Sequence, residues 1–237
     1  MAKVLVVSGG SRGIGFATAQ RFAREGYRII NLSRRPCELP GVINITADFS
    51  AADWSEALAA VLNDVFPQEG GRAEVALVHS AAVMTKGEVG GVESAQFRQC
   101  FEVNVVAAAE LVKRLLPYMA QGSSVVYVGS TLGEKAVSNT AAYVVSKHAL
   151  IGLMRSSCQD LAGKGIHTAC VCPGFTETEM LLEHIGSDEQ VMASIVSGIT
   201  QQRLLQPEEI ADVIYFCSNN AAVNGAVLHA NLGQIER

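Results

Sequence analysis

Short apolar runs alternate along the chain with longer stretches in which apolar residues recur every three or four positions. The runs are rich in Val and Ile and are mostly apolar on both faces, which is typical of parallel strands buried on both sides. This pattern predicts strands at residues 4–8, 28–32, 42–46, 74–79, 124–130, 167–172 and 226–231.

The longer stretches have helical periodicity and lie between these strands. They predict helices at residues 14–24, 52–66, 95–118, 141–161 and 207–218. Pro207, followed by Glu208 and Glu209, is a typical helix start. Because strands and helices alternate from end to end, the fold class predicted is α/β, a doubly wound (Rossmann) parallel sheet with helices on both faces.

Residues 176–203 interrupt this alternation. The segment is polar and contains Gly186 and Gly198. We interpret it as an inserted lid, made of a loop and a helix.

Composition excludes several classes of protein. Of the 237 residues, 49% are hydrophobic and 17% charged, which rules out a disordered chain. The net charge of −5 makes nucleic acid an unfavourable partner. The longest apolar run, residues 57–62, is far shorter than the roughly 20 residues of a membrane-spanning helix, so no membrane partner is expected.

The six cysteines indicate a reducing compartment. They are scattered, without a C-x-x-C pair, so we expect buried thiols in a cytoplasmic protein and no metal site.

A glycine-rich turn joins the first strand to the first helix. Glycine permits a tight turn and a close approach of backbone N–H groups to a ligand, and the following helix N-terminus favours an anion such as a pyrophosphate. The turn therefore predicts a dinucleotide site. Its residues are Gly9, Ser11, Arg12, Gly13, Ile14 and Gly15.

The same turn also fits G-x-S-x-G, the nucleophile elbow of α/β-hydrolases, with Ser11 as nucleophile and His229 as base. An elbow needs an earlier strand and loop to build its oxyanion hole. Only one strand precedes Gly9, so a hydrolase is a remote alternative.

Charge at the end of the second strand indicates which nucleotide binds. A site for NAD usually carries an acid there, whereas this strand ends in Ser33, Arg34 and Arg35, with two guanidinium groups and no acid. Guanidinium groups bind phosphate in a forked geometry. We therefore predict NADP(H), with Arg12 and Arg34 as clamps and Ser33 as a hydrogen-bonding partner; the alternative is that these arginines are ordinary surface charges.

Tyr143 and Lys147 are four residues apart in a predicted helix and share one face. A cation within about 4–6 Å lowers the pKa of a phenol by about 1–3 units, which favours general acid catalysis. Ser130 ends the fifth predicted strand, at the edge where parallel sheets bind ligands. Its hydroxyl can donate to a carbonyl or accept from an alcohol.

Asn104 interrupts an otherwise apolar helix, where asparagine is unfavourable. A functional amide and a buried amide satisfied by the backbone are both compatible with this position.

Together, the glycine turn, Asn104, Ser130, Tyr143 and Lys147 resemble the short-chain dehydrogenase/reductase family along the whole chain. The resemblance implies one domain over residues 1–237, a seven-stranded sheet and hydride transfer between NADP(H) and a carbonyl or alcohol. It implies that Tyr143 exchanges a proton with the substrate oxygen, which Ser130 polarises. Lys147 would assist Tyr143 and bind the nicotinamide ribose, and Asn104 would hold a water in a proton relay.

The resemblance also implies further cofactor contacts. Asp48 would contact the adenine, with Phe49 beside it. The segment from Pro173 to Met180, which we call the Pro-Gly segment, would hold the nicotinamide amide and a nearby phosphate. Ala81 is the alanine retained from the family's Asn-Asn-Ala-Gly motif after the fourth strand. The further contact residues implied are Asp48, Phe49, Ala81, Pro173, Gly174, Thr176 and Thr178.

Two segments depart from the family pattern. Residues 79–82 read His-Ser-Ala-Ala instead of Asn-Asn-Ala-Gly, and residues 229–234 lack the usual Val-Asp-Gly-Gly. The first departure changes the residues expected to contact the adenosine and leaves the catalytic residues in place. The second departure means that the C-terminal segment does not identify a subfamily.

The partners expected are therefore a small carbonyl or alcohol substrate and a second copy of the chain. The sequence of the Pro-Gly segment is similar to that of bacterial β-ketoacyl-carrier-protein reductases. The family commonly forms dimers or tetramers through helices equivalent to residues 95–118 and 141–161. The other reading kept open is an NADP(H)-sensing protein of the same fold without turnover.

Overall fold

The computed structural model describes residues 3–66, 71–186 and 188–235. Its seven strands form one parallel sheet, as the alternating pattern predicts. They are β1 (Lys3–Ser8), β2 (Arg28–Ser33), β3 (Ile43–Thr46), β4 (Glu74–His79), β5 (Ser124–Val128), β6 (His167–Pro173) and β7 (Ala226–Ala230).

Eight α-helices connect and cover these strands in the described part of the chain. They are α1 (Gly13–Arg24), α2 (Trp54–Val65), α3 (Ser94–Phe101), α4 (Ala107–Leu115), α5 (Ala141–Asp160), α6 (Glu179–Ile185), α7 (Glu189–Ser197) and α8 (Pro207–Ser218). The helix expected at 95–118 forms over Ser94–Tyr118, but its hydrogen bonding changes along it. A π-helical turn, Glu102–Val106, lies between α3 and α4 and contains Asn104, and a 3-10 turn, Leu116–Tyr118, ends the helix.

The strand order is β3-β2-β1-β4-β5-β6-β7. The chain builds outward from β1 to β3, then returns to the centre and builds outward in the other direction. The switch point lies between β1 and β4, where Ser8 pairs with His79. In sheets of this type the ligand binds beyond the carboxyl ends of the strands at that point.

Apolar layers lie on both faces of the sheet. One contains Leu58, Leu77 and Leu111. The other contains Leu5 and Phe22. Burial on both faces explains why the strand sequences show no alternation of apolar and polar residues.

The segment at 176–203 contains α6 and α7, which end at Gly186 and Gly198. Among the described residues, no helix is long and apolar enough to cross a bilayer.

Candidate active site

A cavity of about 470 Å³ opens at the carboxyl ends of the strands. All the residues predicted for catalysis or cofactor binding line it, with the exception of Asn104. Residues separated by more than 160 positions in the sequence therefore meet at one site.

Helix α5 carries the tyrosine–lysine pair on its buried face. Tyr143 and Lys147 follow the same stripe as Leu150 and Met154, so packing of the apolar residues fixes the orientation of the polar ones. Lys147 is only 3% exposed. Its Nζ donates to the Val128 carbonyl oxygen at 2.8 Å and lies 5.5 Å from the centre of the Tyr143 ring. A buried ammonium needs such partners, since an isolated buried charge is very unfavourable.

Ser130 lies two residues beyond β5 in extended backbone, before a short 3-10 turn, Thr131–Gly133. Its Oγ accepts a hydrogen bond from the Leu132 N–H at 3.1 Å. That contact uses a lone pair and leaves the hydroxyl proton available to a ligand.

Asn104 is fully buried outside the cavity lining and acts on the loop that follows β4. Its Oδ1 accepts from the Val83 N–H at 2.8 Å, and its Nδ2 lies 3.0 Å from the Val83 carbonyl oxygen. Nδ2 also donates to Ser146 Oγ at 2.9 Å. The amide thus joins this loop to α5, one residue before Lys147.

The glycine turn brings two segments of backbone unusually close. A Cβ at Gly15 would stand 2.2 Å from the carbonyl oxygen of Gly9. Gly9 has φ +74°, and a Cβ there would stand 2.9 Å from Ala81. Both positions therefore require glycine, and the turn packs against the β4 loop at the switch point.

The predicted phosphate clamps are less firmly held. Arg34 is exposed, and Arg12 is half-buried. Arg12 Nη1 lies 3.2 Å from Glu183 Oε1 on α6. Ser33 is buried, and its Oγ donates to the Arg35 carbonyl oxygen at 2.5 Å.

Asp48 and Phe49 form another wall of the cavity. Asp48 Oδ1 accepts from the Ser50 hydroxyl at 2.6 Å and from the Ser50 N–H at 3.0 Å. These bonds hold the pKa of Asp48 below its usual value, and Arg34 acts in the same direction. Asp48 is therefore a stable carboxylate at neutral pH.

His79, the first residue of the segment that departs from the Asn-Asn-Ala-Gly pattern, is 2% exposed and bonds to β1. Its Nδ1 lies 2.9 Å from Ser8 Oγ, which also accepts from the N–H groups of Ser80 and Ala81. Burial lowers the pKa of His79 to about 3, and the nearby charge of Lys147 adds to this effect. His79 is consequently a neutral link between β1 and β4. Ala82, three residues further on, lines the cavity.

The Pro-Gly segment connects β6 to α6 and lines the cavity. Thr176 is buried, and its Oγ1 donates to the Gly174 carbonyl oxygen at 3.1 Å. Thr178 caps α6, where its Oγ1 accepts from the Leu181 N–H at 3.3 Å. Both hydroxyls therefore shape the loop, and both residues border the cavity.

Sequence reasoning missed several residues of the site. Asn31 binds the glycine turn from inside β2, and Arg35 lines the cavity beside Arg34. An asparagine within an apolar strand was the available signal for Asn31. Gln99 and Gln234 also line the cavity, and nothing in their sequence context indicates it.

The hydrolase alternative has no support in the geometry. His229 Nε2 lies 2.8 Å from Glu134 Oε2, and among the described residues Ser11 has no histidine partner. Within the same residues, no cluster of three or more His, Cys, Asp or Glu side chains is suited to hold a metal ion.

Comparisons with known proteins agree with this geometry. A family model described as enoyl-(acyl carrier protein) reductase matches residues 9–234. The 3-oxoacyl-[acyl-carrier-protein] reductase MabA of Mycobacterium tuberculosis is 26% identical over 98% of this chain and 93% of its own.

Two solved structures are similar over nearly the whole chain. A short-chain dehydrogenase/reductase from Serratia marcescens has a TM-score of 0.87 and 26% identity, covering 98% of this chain and 97% of its own. A variant of actinorhodin polyketide ketoreductase with NADPH has a TM-score of 0.86 and 26% identity, with the same coverage. On this combination of family match, fold and site, the chain belongs to the short-chain dehydrogenase/reductase family of oxidoreductases.

Proposed function

We propose that this oxidoreductase transfers a hydride between NADP(H) and a carbonyl or alcohol substrate, and that ketone or aldehyde reduction is the working direction. The observation that carries the proposal is the convergence of Ser130, Tyr143 and Lys147 with the glycine turn on one cavity. A protein that only senses a nucleotide needs no proton donor beside the ligand.

The residues present fit a dinucleotide. A Cβ at Gly9 would clash with Ala81, and one at Gly15 would clash with the Gly9 carbonyl oxygen, so only glycine lets the backbone pack this closely beside the cavity that both residues line. Gly13 begins α1, whose positive N-terminus favours a pyrophosphate. Arg12, Ile14 and Ser11 would complete this end of the site.

The nicotinamide supplies the hydride when it is bound. Ser130 Oγ donates its free proton to the substrate carbonyl and orients it. The Tyr143 hydroxyl donates a proton to the same oxygen in reduction and removes it in oxidation. The Lys147 ammonium stabilises the phenolate that remains on Tyr143.

NADP(H) is proposed over NAD(H) because of charge. Arg34 and Arg35 follow β2 and line the cavity, whereas that strand end carries no acid to bind a ribose hydroxyl. The similar ketoreductase was solved with NADPH. Reduction follows from NADPH being the usual cellular reductant.

The substrate end of the cavity is largely apolar. Leu132, Val137 and Leu181 line it together with the more polar His184. We infer a mid-sized, partly apolar carbonyl compound. The relative MabA is a 3-oxoacyl-carrier-protein reductase, and a thioester of that class is one member of this substrate range.

The proposed setting is a homodimer or homotetramer in the cytoplasm. Val106 and Val145 are exposed apolar residues in the π-helical turn and on α5. Phe97 and Phe101 stack at 5.8 Å on α3. Such a surface suits a second copy of this chain.

A substrate panel tests the function. The purified protein should oxidise NADPH in the presence of short, branched and aryl ketones, aldehydes and 3-oxoacyl thioesters, followed at 340 nm. At least one compound should give saturable turnover that is faster with NADPH than with NADH. Tight NADPH binding with no turnover across the panel favours the sensor alternative.

We also propose that residues 176–203 act as a lid. Limited proteolysis should cut this segment more slowly when NADPH is bound. Equal cleavage with and without the nucleotide contradicts a mobile lid.

A further inference from the structure

Asn31 is a polar residue in the middle of the buried strand β2. It is 0% exposed, and asparagine is unfavourable both in strands and in apolar surroundings. Its amide is fully engaged. Oδ1 accepts from the Gly10 N–H at 2.9 Å, while Nδ2 donates to Ser33 Oγ at 2.9 Å and to Asn44 Oδ1 at 2.8 Å.

The acceptor side of this amide holds the glycine turn. A Cβ at Gly10 would stand 2.7 Å from Asn31 Oδ1, so the turn lies directly against the asparagine. The bond from the Gly10 N–H fixes the turn against β2, next to the residues of the turn that line the cavity.

The donor side holds the arginine loop, which we define as residues 34–36. Ser33 Oγ donates to the Arg35 carbonyl oxygen at 2.5 Å. Asn44 closes the loop from β3: its Oδ1 accepts from the Cys37 N–H at 2.8 Å, and its Nδ2 donates to the Cys37 carbonyl oxygen at 3.1 Å. The middle residue of the arginine loop and the residue that follows the loop are therefore bonded to the partners of Asn31.

We propose that Asn31 is a positioning residue that sets the preference for NADP(H). One amide connects the turn that would bind the pyrophosphate with the loop that would bind the 2′-phosphate. It holds the two phosphate sites at a fixed separation. This role rests on the proposed function.

The physical advantage is pre-organisation. Arginine side chains are flexible, and forked recognition of a phosphate requires their backbone to be fixed in advance. NADH lacks the 2′-phosphate and does not use the arginine loop. Loosening the loop should therefore weaken NADPH binding more than NADH binding.

Two variants test the proposal by equilibrium fluorescence titration with NADPH and NADH, without substrate. Asn31→Asp keeps the acceptor for Gly10 but has no N–H for Ser33 or Asn44. We expect NADPH affinity to fall about tenfold and NADH affinity at most about twofold. Asn44→Ala, at an exposed position, should lower the same affinity ratio about threefold. The matched control is Asn63→Ala on the exposed face of α2.

Trypsin gives a second readout that needs no cofactor. Arg34 is exposed, and cleavage after it should be several-fold faster in both variants than in the wild type or the control. Arg35 precedes Pro36 and resists trypsin, so the cut reports the loop specifically.

An unchanged NADPH-to-NADH ratio and unchanged cleavage at Arg34 would overturn the role of Asn31. Equal loss of both nucleotides, accompanied by a lower Tm, would show that Asn31 only stabilises the fold. Failure of the proposed cofactor binding looks different: the wild type itself would bind neither nucleotide or would prefer NADH.

Discussion

The two ends of the cavity are built differently. At the proposed reaction end, Tyr143 and Lys147 are buried on α5, and Lys147 is bonded to the backbone of β5. At the proposed nucleotide end, the guanidinium groups of Arg12 and Arg34 are partly or fully exposed, and Arg12 is held only by an exposed ion pair with Glu183. Proton transfer needs precise atomic positions, whereas phosphate recognition tolerates mobile side chains on a rigid loop. The predictions below test this contrast, beginning with the largest expected effect.

Removal of the Tyr143 hydroxyl should have the largest effect on turnover of the substitutions considered. Tyr143→Phe should lower kcat about 1,000-fold because the substrate oxygen loses its proton donor. NADPH affinity should stay within about twofold of the wild type, since the ring and its packing remain. Steady-state kinetics and nucleotide titration measure the two effects, with Tyr118→Phe as control. Full activity in Tyr143→Phe would refute the assignment.

A charge reversal tests the nucleotide end. Arg34→Glu should reduce the NADPH-to-NADH affinity ratio about 100-fold, because the 2′-phosphate would meet a carboxylate. Direct titration with both nucleotides measures this ratio. Arg28→Glu, exposed at the opposite end of β2, is the matched control. An unchanged ratio would mean that Arg34 is only a surface charge.

His79 links β4 to β1 beneath the cavity-lining turn, and its burial predicts a pH effect on stability. Its pKa is about 3 in the folded protein, against an ordinary value of 6.5. Between these values the unfolded state binds more protons, so the folded state loses stability as pH falls from 6.5 towards 3.

The wild type should therefore lose about 2 kcal/mol more than His79→Asn between pH 7 and pH 5, from this group alone. Urea unfolding at both pH values measures the difference, and His148→Asn, at an exposed histidine, is the control. Equal losses in the wild type and His79→Asn would show that His79 is solvated or charged in the folded state.

The smallest effect concerns the ion pair between the glycine turn and α6. Glu183→Gln should tighten NADPH binding about twofold, because an exposed ion pair contributes little and its loss frees Arg12 for the phosphate. Fluorescence titration measures the change in NADPH affinity, and Glu189→Gln on α7 is the control. Weaker NADPH binding would instead show that Glu183 positions Arg12.

Much of the fold was readable in the sequence because periodicity reports burial. β4 and α8 have the predicted bounds, and other elements differ by a few residues at their ends. The helix predicted at 95–118 also forms, but its change of hydrogen bonding was not predicted. Its periodicity is helical throughout, but the π-helical turn at Asn104 adjusts the register so that the amide reaches Val83 and Ser146. Local pattern does not contain that long-range contact.

The sequence by itself determined the strand–helix alternation, the glycine turn and the spacing of Tyr143 and Lys147, because each depends on neighbouring residues and local backbone geometry. Only the tertiary structure decided that Asn31 supports the glycine turn, that His79 links β4 to Ser8, and that Asn104 serves the β4 loop. These contacts join residues 21 to 71 positions apart. Their partners are chosen by strand order and packing, which no local pattern specifies.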